Sequence, residues 1–267
     1  MKKFFLILLL NINLLFLKAS NYNNNLIHTF TNDNFYQEIS KYKSFNEEFY
    51  NDYYECYQNN LNIIYSLNLI NHPAFLTTSS LKQSFTFNGG IFVNKSYYLK
   101  ESYVPNNLVP LTLPKINRKG ETMLLDKTAL YYANQMFNDA KNKGMNLIVY
   151  SGYRSYVKQA NIYMATLDKT YVAKPGFSEH QTGLAIDIAT MESGLSSHFE
   201  YTNEFLYLKD NAHLFGFIMR YPKDKTHITK YPYEAWHFRF VGIDIATKIY
   251  DDNLTLEEYL YMYVELL

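Results

Sequence analysis

The chain has 267 residues and a mass of 31.5 kDa, with 25 basic and 25 acidic residues and a formal net charge of zero. At 48% hydrophobic and 19% charged residues it carries the material for a real core, which argues against wholesale disorder. A pI near 7.1 leaves no electrostatic footprint for nucleic acid, and the single Cys56 excludes an intrachain disulfide framework and any multi-cysteine zinc or iron–sulfur site.

In chain order, Met1-Lys2-Lys3 leads into an apolar stretch that ends near Leu17. Its length of roughly fourteen residues is that of a secretory signal and short for a membrane span. Residues 1–20 are therefore read as a signal peptide or an uncleaved N-terminal anchor that tethers the protein to the membrane. Either reading makes the protein exported, to the outer face of the cytoplasmic membrane or beyond it. Residues 21–90 form an Asn- and Tyr-rich extension with no chemistry-bearing motif. Within it, residues 45–58 read as a polar helix, 62–65 as a short strand and 77–80 as loop.

From Ile91 the texture changes, and residues 91–267 read as one domain. Pro105, Pro110 and Pro114 punctuate extended chain. Leu130, Ala133, Phe137 and Ala140 mark one face of a helix stopped by Gly144. Residues 145–150 read as a buried strand, followed by a tight turn whose Ser155 caps a helix over 156–167. Leu184, Ile186 and Ile188 alternate with Ala185, Asp187 and Ala189, the pattern of a half-buried strand. A helix over 203–215 is expected behind Thr202 and ahead of Gly216, then a strand over 217–221. Trp236, Phe238 and Phe240 point inward on a further strand, with His237 and Arg239 toward a surface or cleft. Thr255 and Glu258 have capping-box spacing ahead of a final helix. Without a regular βαβ rhythm, the elements indicate an α+β fold with a mainly antiparallel sheet flanked by helices.

Three motifs carry chemistry: Ser178-Glu-His180 with Gly183 and Asp187, Glu234-Ala-Trp-His237, and Ser151-Gly-Tyr-Arg154 with Gln159. Two His and a carboxylate on a rigid sheet suit a catalytic zinc with an open fourth position, and a Glu beside a ligand can take a proton from water there. Glu234 and His237 are an odd number of residues apart and would face opposite sides of a regular strand, so a bend is expected near 233–235. Taken singly, Asp187 also reads as a structural hydrogen-bond acceptor, Glu234 as a solvated strand end and Arg154 as a surface cation.

Taken together, Ser178-x-His180-x-x-Gly183-x-Ala185-x-Asp187 and Glu234-x-x-His237 resemble the signature of the VanY-like zinc D-alanyl-D-alanine carboxypeptidases. The segments 151–155, 175–188, 215–222 and 234–242 extend the resemblance in the same order. It implies the zinc D-Ala-D-Ala carboxypeptidase/Hedgehog-like fold, with one Zn²⁺ per chain on His180, Asp187 and His237 and Glu234 as catalytic base. It further implies that Arg154 contacts the substrate and steadies the oxyanion, and that Gln159 and Ser178 line the substrate site. The family commonly has Pro where Ala235 stands and Gly where Lys230 stands. The implied activity is removal of the terminal D-alanine from peptidoglycan stem peptides. An L,D-carboxypeptidase, an endopeptidase on the same polymer and a non-catalytic peptidoglycan-binding module are the alternatives. A nucleophilic hydrolase using Ser178 or Cys56 is disfavoured, since Ser178 lacks a G-x-S-x-G turn.

Overall fold

A computed structural model describes residues 32–42, 45–60, 63, 66–67 and 81–264, and the chain divides into two compact units, Met1–Leu76 and Thr77–Leu267. The expected leader lies outside the described residues, as does loop 77–80. Among the described residues no helix is long and apolar enough to cross a membrane.

In the first unit, helices Asn32–Ile39 and Tyr50–Asn60 pack through aromatic rings. Phe35 lies 5.2 Å from Tyr54 and 4.8 Å from Tyr57 between ring centroids. A 3-10 turn, Glu47–Phe49, leads into the second helix behind the cap of Asn46, so the polar helix expected over 45–58 is present but starts late. Ile63 is helical where a strand was expected, and its neighbours over 62–65 lie outside the described residues.

The second unit is built on four strands, β1 (Ile148–Ser151), β2 (Ala185–Ala189), β3 (Phe217–Met219) and β4 (His237–Phe240), in the order β1-β2-β4-β3. Every pairing is antiparallel. This is the α+β architecture expected from the sequence. Helix α1 (Lys127–Asn142) buries Ala129, Leu130, Ala133, Met136, Phe137 and Ala140 in the same core as Ile186, Ile188, Phe217, Phe238 and Phe240. Its N-terminus is capped by Asp126, and Gly144 follows the helix at φ 82°, the left-handed stop that glycine accepts without strain. Helix α2 (Tyr156–Ala165) is capped by Ser155, and α3 (Asn203–Asn211) by Thr202. The helix expected to run to Phe215 tightens after Asn211 into a 3-10 turn, Ala212–Phe215, that ends on Gly216 at φ 77°. Helices α4 (Ile243–Asp251) and α5 (Leu256–Tyr263) complete the unit, α5 with the full Thr255/Glu258 capping box. α4 was not among the expected elements, although Ala246 and Ile249 stand at helical spacing and are buried.

Two strand expectations change. β2 is buried at all five positions and has both edges paired, by β1 and β4, so its polar positions face a packed interior rather than solvent. β4 begins at His237 and is likewise buried throughout, with Trp236 in the turn before it and Arg239 fully inaccessible to solvent. Small strand pairs surround this sheet, Lys82–Gln83 with Tyr97–Tyr98, Thr86–Phe87 with Gly90–Ile91, and Leu108–Pro110 with Leu124–Asp126.

Candidate metal centre and active site

Sheet register brings three sequence-distant positions into one row. Asp187 on the central strand β2 pairs with His237 on β4 and with Ser151 on β1, where a bulge between Val149 and Ser151 resets the ladder. His180 reaches the same place from a 3-10 turn, Glu179–Thr182, that closes on Gly183 at φ 73°. The left-handed backbone favours glycine at 183, and a Cβ there would also lie 2.8 Å from Leu108 Cδ2 and have to displace that side chain.

Asp187 receives both imidazoles. Its Oδ2 is 3.2 Å from His180 Nε2, its Oδ1 is 3.0 Å from His237 Nδ1, and the two rings meet edge to face at 5.0 Å. One ligand atom from each of the three residues falls within 4.8 Å of the others, and all three side chains are buried. The second nitrogen of each ring is also engaged: His180 Nδ1 lies 2.8 Å from the Gly152 carbonyl and His237 Nε2 lies 3.3 Å from Glu179 Oε2. Residue 152 is held to glycine by close packing, since a Cβ there would stand 2.5 Å from the Leu124 carbonyl oxygen. Such outer acceptors place the ring proton away from a metal and leave a lone pair facing it. Two imidazoles and one carboxylate, two of them on the sheet and His180 on the turn beside it, are a donor set that fits zinc.

Charge in this cluster follows from burial and partners. Burial alone would raise Asp187, but the two His hold its carboxyl far below the usual carboxylate range. Burial pulls His180 down, against the attraction of Asp187. His237 would be pulled down too, yet its hydrogen bonds to Asp187 and Glu179 override burial and raise it to about 9.

Glu234 lies just ahead of β4, in a turn closed by the His237 N–H donating to the Glu234 carbonyl at 3.3 Å. The bend expected near 233–235 is there, carried by Ala235 and Trp236, and it puts Glu234 and His237 in one neighbourhood despite their odd spacing. Burial pushes the Glu234 carboxyl up to about 7, with Asp187 adding to the rise and His237 and Arg154 opposing it. A carboxyl poised there is suited to proton transfer near neutral pH. Upstream, Lys230 ends a short helical turn, Thr226–Thr229, at φ 62°. The glycine common in the family at this position is explained by that left-handed backbone, and this chain adopts it with a lysine.

Arg154 is not a surface cation. Its side chain is 17% exposed, its Nη1 donates to Gln159 Oε1 at 2.7 Å, its Nη2 donates to Ser151 Oγ at 3.0 Å, and Nη2 lies 3.9 Å from Asp187 Oδ2. Gln159 is itself buried and donates to the Ala173 carbonyl at 2.6 Å, so it aims the guanidinium. Ser178 is buried at the start of the 3-10 turn and makes no capping hydrogen bond. Cys56 lies in the first unit. Of the other histidines described, His198, His213 and His227 do not join the ligand group, and His213 stacks on Tyr250 at 3.8 Å. His28 and His72 lie outside the described residues.

Sequence reasoning gave no role to Glu179, Arg220 and Arg239. Glu179 is fully buried between Arg220 Nε at 2.8 Å and Arg239 Nη1 at 3.1 Å. Burial would raise its carboxyl, and the two guanidinium groups more than offset that, holding it well below the usual range. A signal was available, since Glu179 is a charged residue directly beside the candidate ligand His180.

Residues 122–243 match the VanY family, described as D-alanyl-D-alanine carboxypeptidase. VanXYC of Enterococcus gallinarum, a bifunctional D-Ala-D-Ala dipeptidase and D-Ala-D-Ala carboxypeptidase, is 32% identical over 178 residues, which span 62% of this chain and 90% of that protein. The chain belongs to the VanY family. YodJ of Bacillus subtilis is 44% identical over 177 residues, 62% of this chain and 65% of YodJ, so the match spans just under two thirds of that relative. D-alanyl-D-alanine carboxypeptidases of Enterococcus faecalis and Enterococcus faecium are matched over 53% and 56% of their lengths. Among solved structures, the LdcB LD-carboxypeptidase is 42% identical with a TM-score of 0.59, covering 64% of this chain and 84% of LdcB. A VanY D,D-pentapeptidase solved with Zn(II) is 37% identical with a TM-score of 0.53, covering 63% of this chain and 97% of that one. The VanY fold is therefore shared well beyond the motifs.

Proposed function

We propose that the protein is a zinc D,D-carboxypeptidase that removes the terminal D-alanine from peptidoglycan stem peptides, with His180, Asp187 and His237 as metal ligands. The observation that carries this reading is the convergence of those three ligand atoms within 4.8 Å beside a buried Glu234. Zinc held there supplies a Lewis acid for the scissile carbonyl and a water of lowered pKa. Glu234 accepts the proton of the attacking water and returns it to the leaving amine as the C–N bond breaks. Arg154, braced by Gln159 and Ser151, offers a planar pair of donors to the developing oxyanion or to the terminal carboxylate. Ser178 and Gln159 line the site. Residues 91–267 form the catalytic domain, behind an N-terminal extension over 21–90 and an export signal or anchor over 1–20, and the enzyme works outside the cytoplasmic membrane.

Removal of the last residue of a tetrapeptide stem, the L,D reaction, is the second reading, supported by the 42% identity to LdcB. Mass spectrometry of defined tetrapeptide and pentapeptide stems incubated with the zinc-loaded protein separates the two. Shortening of the pentapeptide alone supports the D,D reading, and shortening of the tetrapeptide alone replaces it.

The metal half is tested first. Purified protein should hold about one zinc per chain, lost to a chelator, and His237→Ala should lose most of it. Stoichiometric zinc in a His180→Ala, His237→Ala double variant would sink the ligand assignment. The substrate half is tested by Arg154→Lys, which keeps the charge but cannot reproduce the planar fork. It should fold, bind zinc and lose much of its kcat/KM. A fall in kcat at constant KM assigns Arg154 to the transition state, and a rise in KM alone assigns it to substrate anchoring.

A further inference from the structure

We infer that Glu179 is the residue that positions His237 for the metal, an inference that rests on the zinc reading above. The His237 ring is held at both ends. Its Nδ1 faces Asp187 Oδ1 at 3.0 Å, on the side shared with His180, and its Nε2 faces Glu179 Oε2 at 3.3 Å. For His237 to offer its Nδ1 lone pair, the ring proton must sit on Nε2, and a carboxylate oxygen opposite Nε2 is an acceptor that holds it there. His180 is set the opposite way, with the Gly152 carbonyl at Nδ1 and Nε2 toward Asp187. One ligand is thus oriented by a backbone carbonyl and the other by a side chain, so only the second can be altered by substitution without rebuilding the chain.

Glu179 can hold that place because its own position is fixed. Its other oxygen, Oε1, accepts from Arg220 Nε at 2.8 Å and Arg239 Nη1 at 3.1 Å, and no part of its side chain reaches solvent. Arg239 is anchored in turn by donating to the Ile91 carbonyl at 2.8 Å. Arg220 turns its two terminal nitrogens to Glu257, with Nη1 to Oε2 at 2.7 Å and Nη2 to Oε1 at 2.6 Å. Glu257 lies in the first turn of α5, beyond the residues that match the family, and Asn94 Nδ2 donates to it at 3.3 Å. The last helix therefore braces the arginine that braces Glu179.

The alternative is that Glu179 merely fills a buried ionic cluster, and Glu179→Gln against Glu257→Gln separates the two. The glutamine at 179 keeps an oxygen for the arginines but presents an NH₂ donor to Nε2, which drives the ring proton to Nδ1. Zinc affinity, measured by competition with a chelator, should fall about 10- to 100-fold in Glu179→Gln. Glu257→Gln disturbs the same cluster without touching His237, so it should lower the melting temperature and leave zinc affinity within about threefold of wild type, well short of that loss. Imidazole ¹⁵N spectra of the zinc-loaded wild type should show His237 protonated at Nε2. Should Glu179→Gln not fold, Glu179→Asp retains the charge while withdrawing the carboxylate from the ring, and should likewise weaken zinc. Wild-type zinc affinity in the folded Glu179 variant, or an equal loss in Glu257→Gln, overturns the inference while leaving the zinc reading intact. Wild-type protein that takes up no zinc overturns both.

Discussion

Glu234→Ala should keep its zinc and lose roughly 10²- to 10⁴-fold in kcat, the usual contribution of a positioned general base. Two structural facts combine in this expectation. The turn closed by the His237 N–H on the Glu234 carbonyl fixes the Glu234 backbone beside the strand of His237, and burial raises the Glu234 carboxyl to about 7. Truncation to a methyl group removes the carboxyl but leaves the backbone turn and the three candidate ligand side chains untouched. Turnover is read on a pentapeptide stem, and metal content is read on the same preparation. Near-normal turnover would mean that another group handles the proton. Loss of zinc would make Glu234 a ligand rather than a base.

Arg220→Met should cost about 3–5 kcal/mol of stability, the range found when one partner of a buried ion pair is removed. Arg220 is wholly buried and bonded at once to Glu179 and Glu257, so methionine fills much of the volume but leaves Glu257 without its bidentate partner and Glu179 with Arg239 alone. For a unit of this size each kcal/mol moves the midpoint by about 2–4 °C, so a fall on the order of 10 °C is expected. The measurement belongs on chelated protein, where zinc binding does not contribute. An unchanged midpoint would show that the two glutamates find other partners or water.

Much of this was legible in the sequence because the signals were local. Ser155, Thr202 and Thr255 stand where a hydroxyl caps the next helix, and Gly144 and Gly216 stand where a left-handed residue ends one. The odd spacing of Glu234 and His237 already required the turn that the structure contains. What was not legible depended on partners far along the chain. Alternation in 184–189 and 236–240 was read as one wet face, but every position of β2 and β4 is buried, because other parts of the fold cover the second face as well. Arg239 was accordingly expected at a surface or cleft, and the structure instead buries it against Glu179, which is sixty residues away. Arg220 pairs across thirty-seven residues with α5. No short-range pattern encodes such pairings, since each needs the sheet before it exists.

The shared row of Ser151, Asp187 and His237 has a consequence for how the molecule matures. These residues come from three strands that are neighbours in space and far apart along the chain. A slip of one residue between β2 and β4 would turn His237 to the face opposite Asp187, and a slip between β1 and β2 would do the same to Ser151. With His180, Asp187 and His237 as the proposed donors, ion capture would check strand alignment, since a chain with β2 and β4 zipped out of step has no complete set. The donors also cannot gather early, because loops this long must close before any of them meet, and such non-local pairing is slow. Free zinc should consequently do little to hasten folding, yet it should hold the finished state once reached, by favouring the native fold over the unfolded chain through mass action. The strand alignment that sets Asp187 opposite His237 therefore makes metal retention a sensitive report on whether a copy has folded correctly.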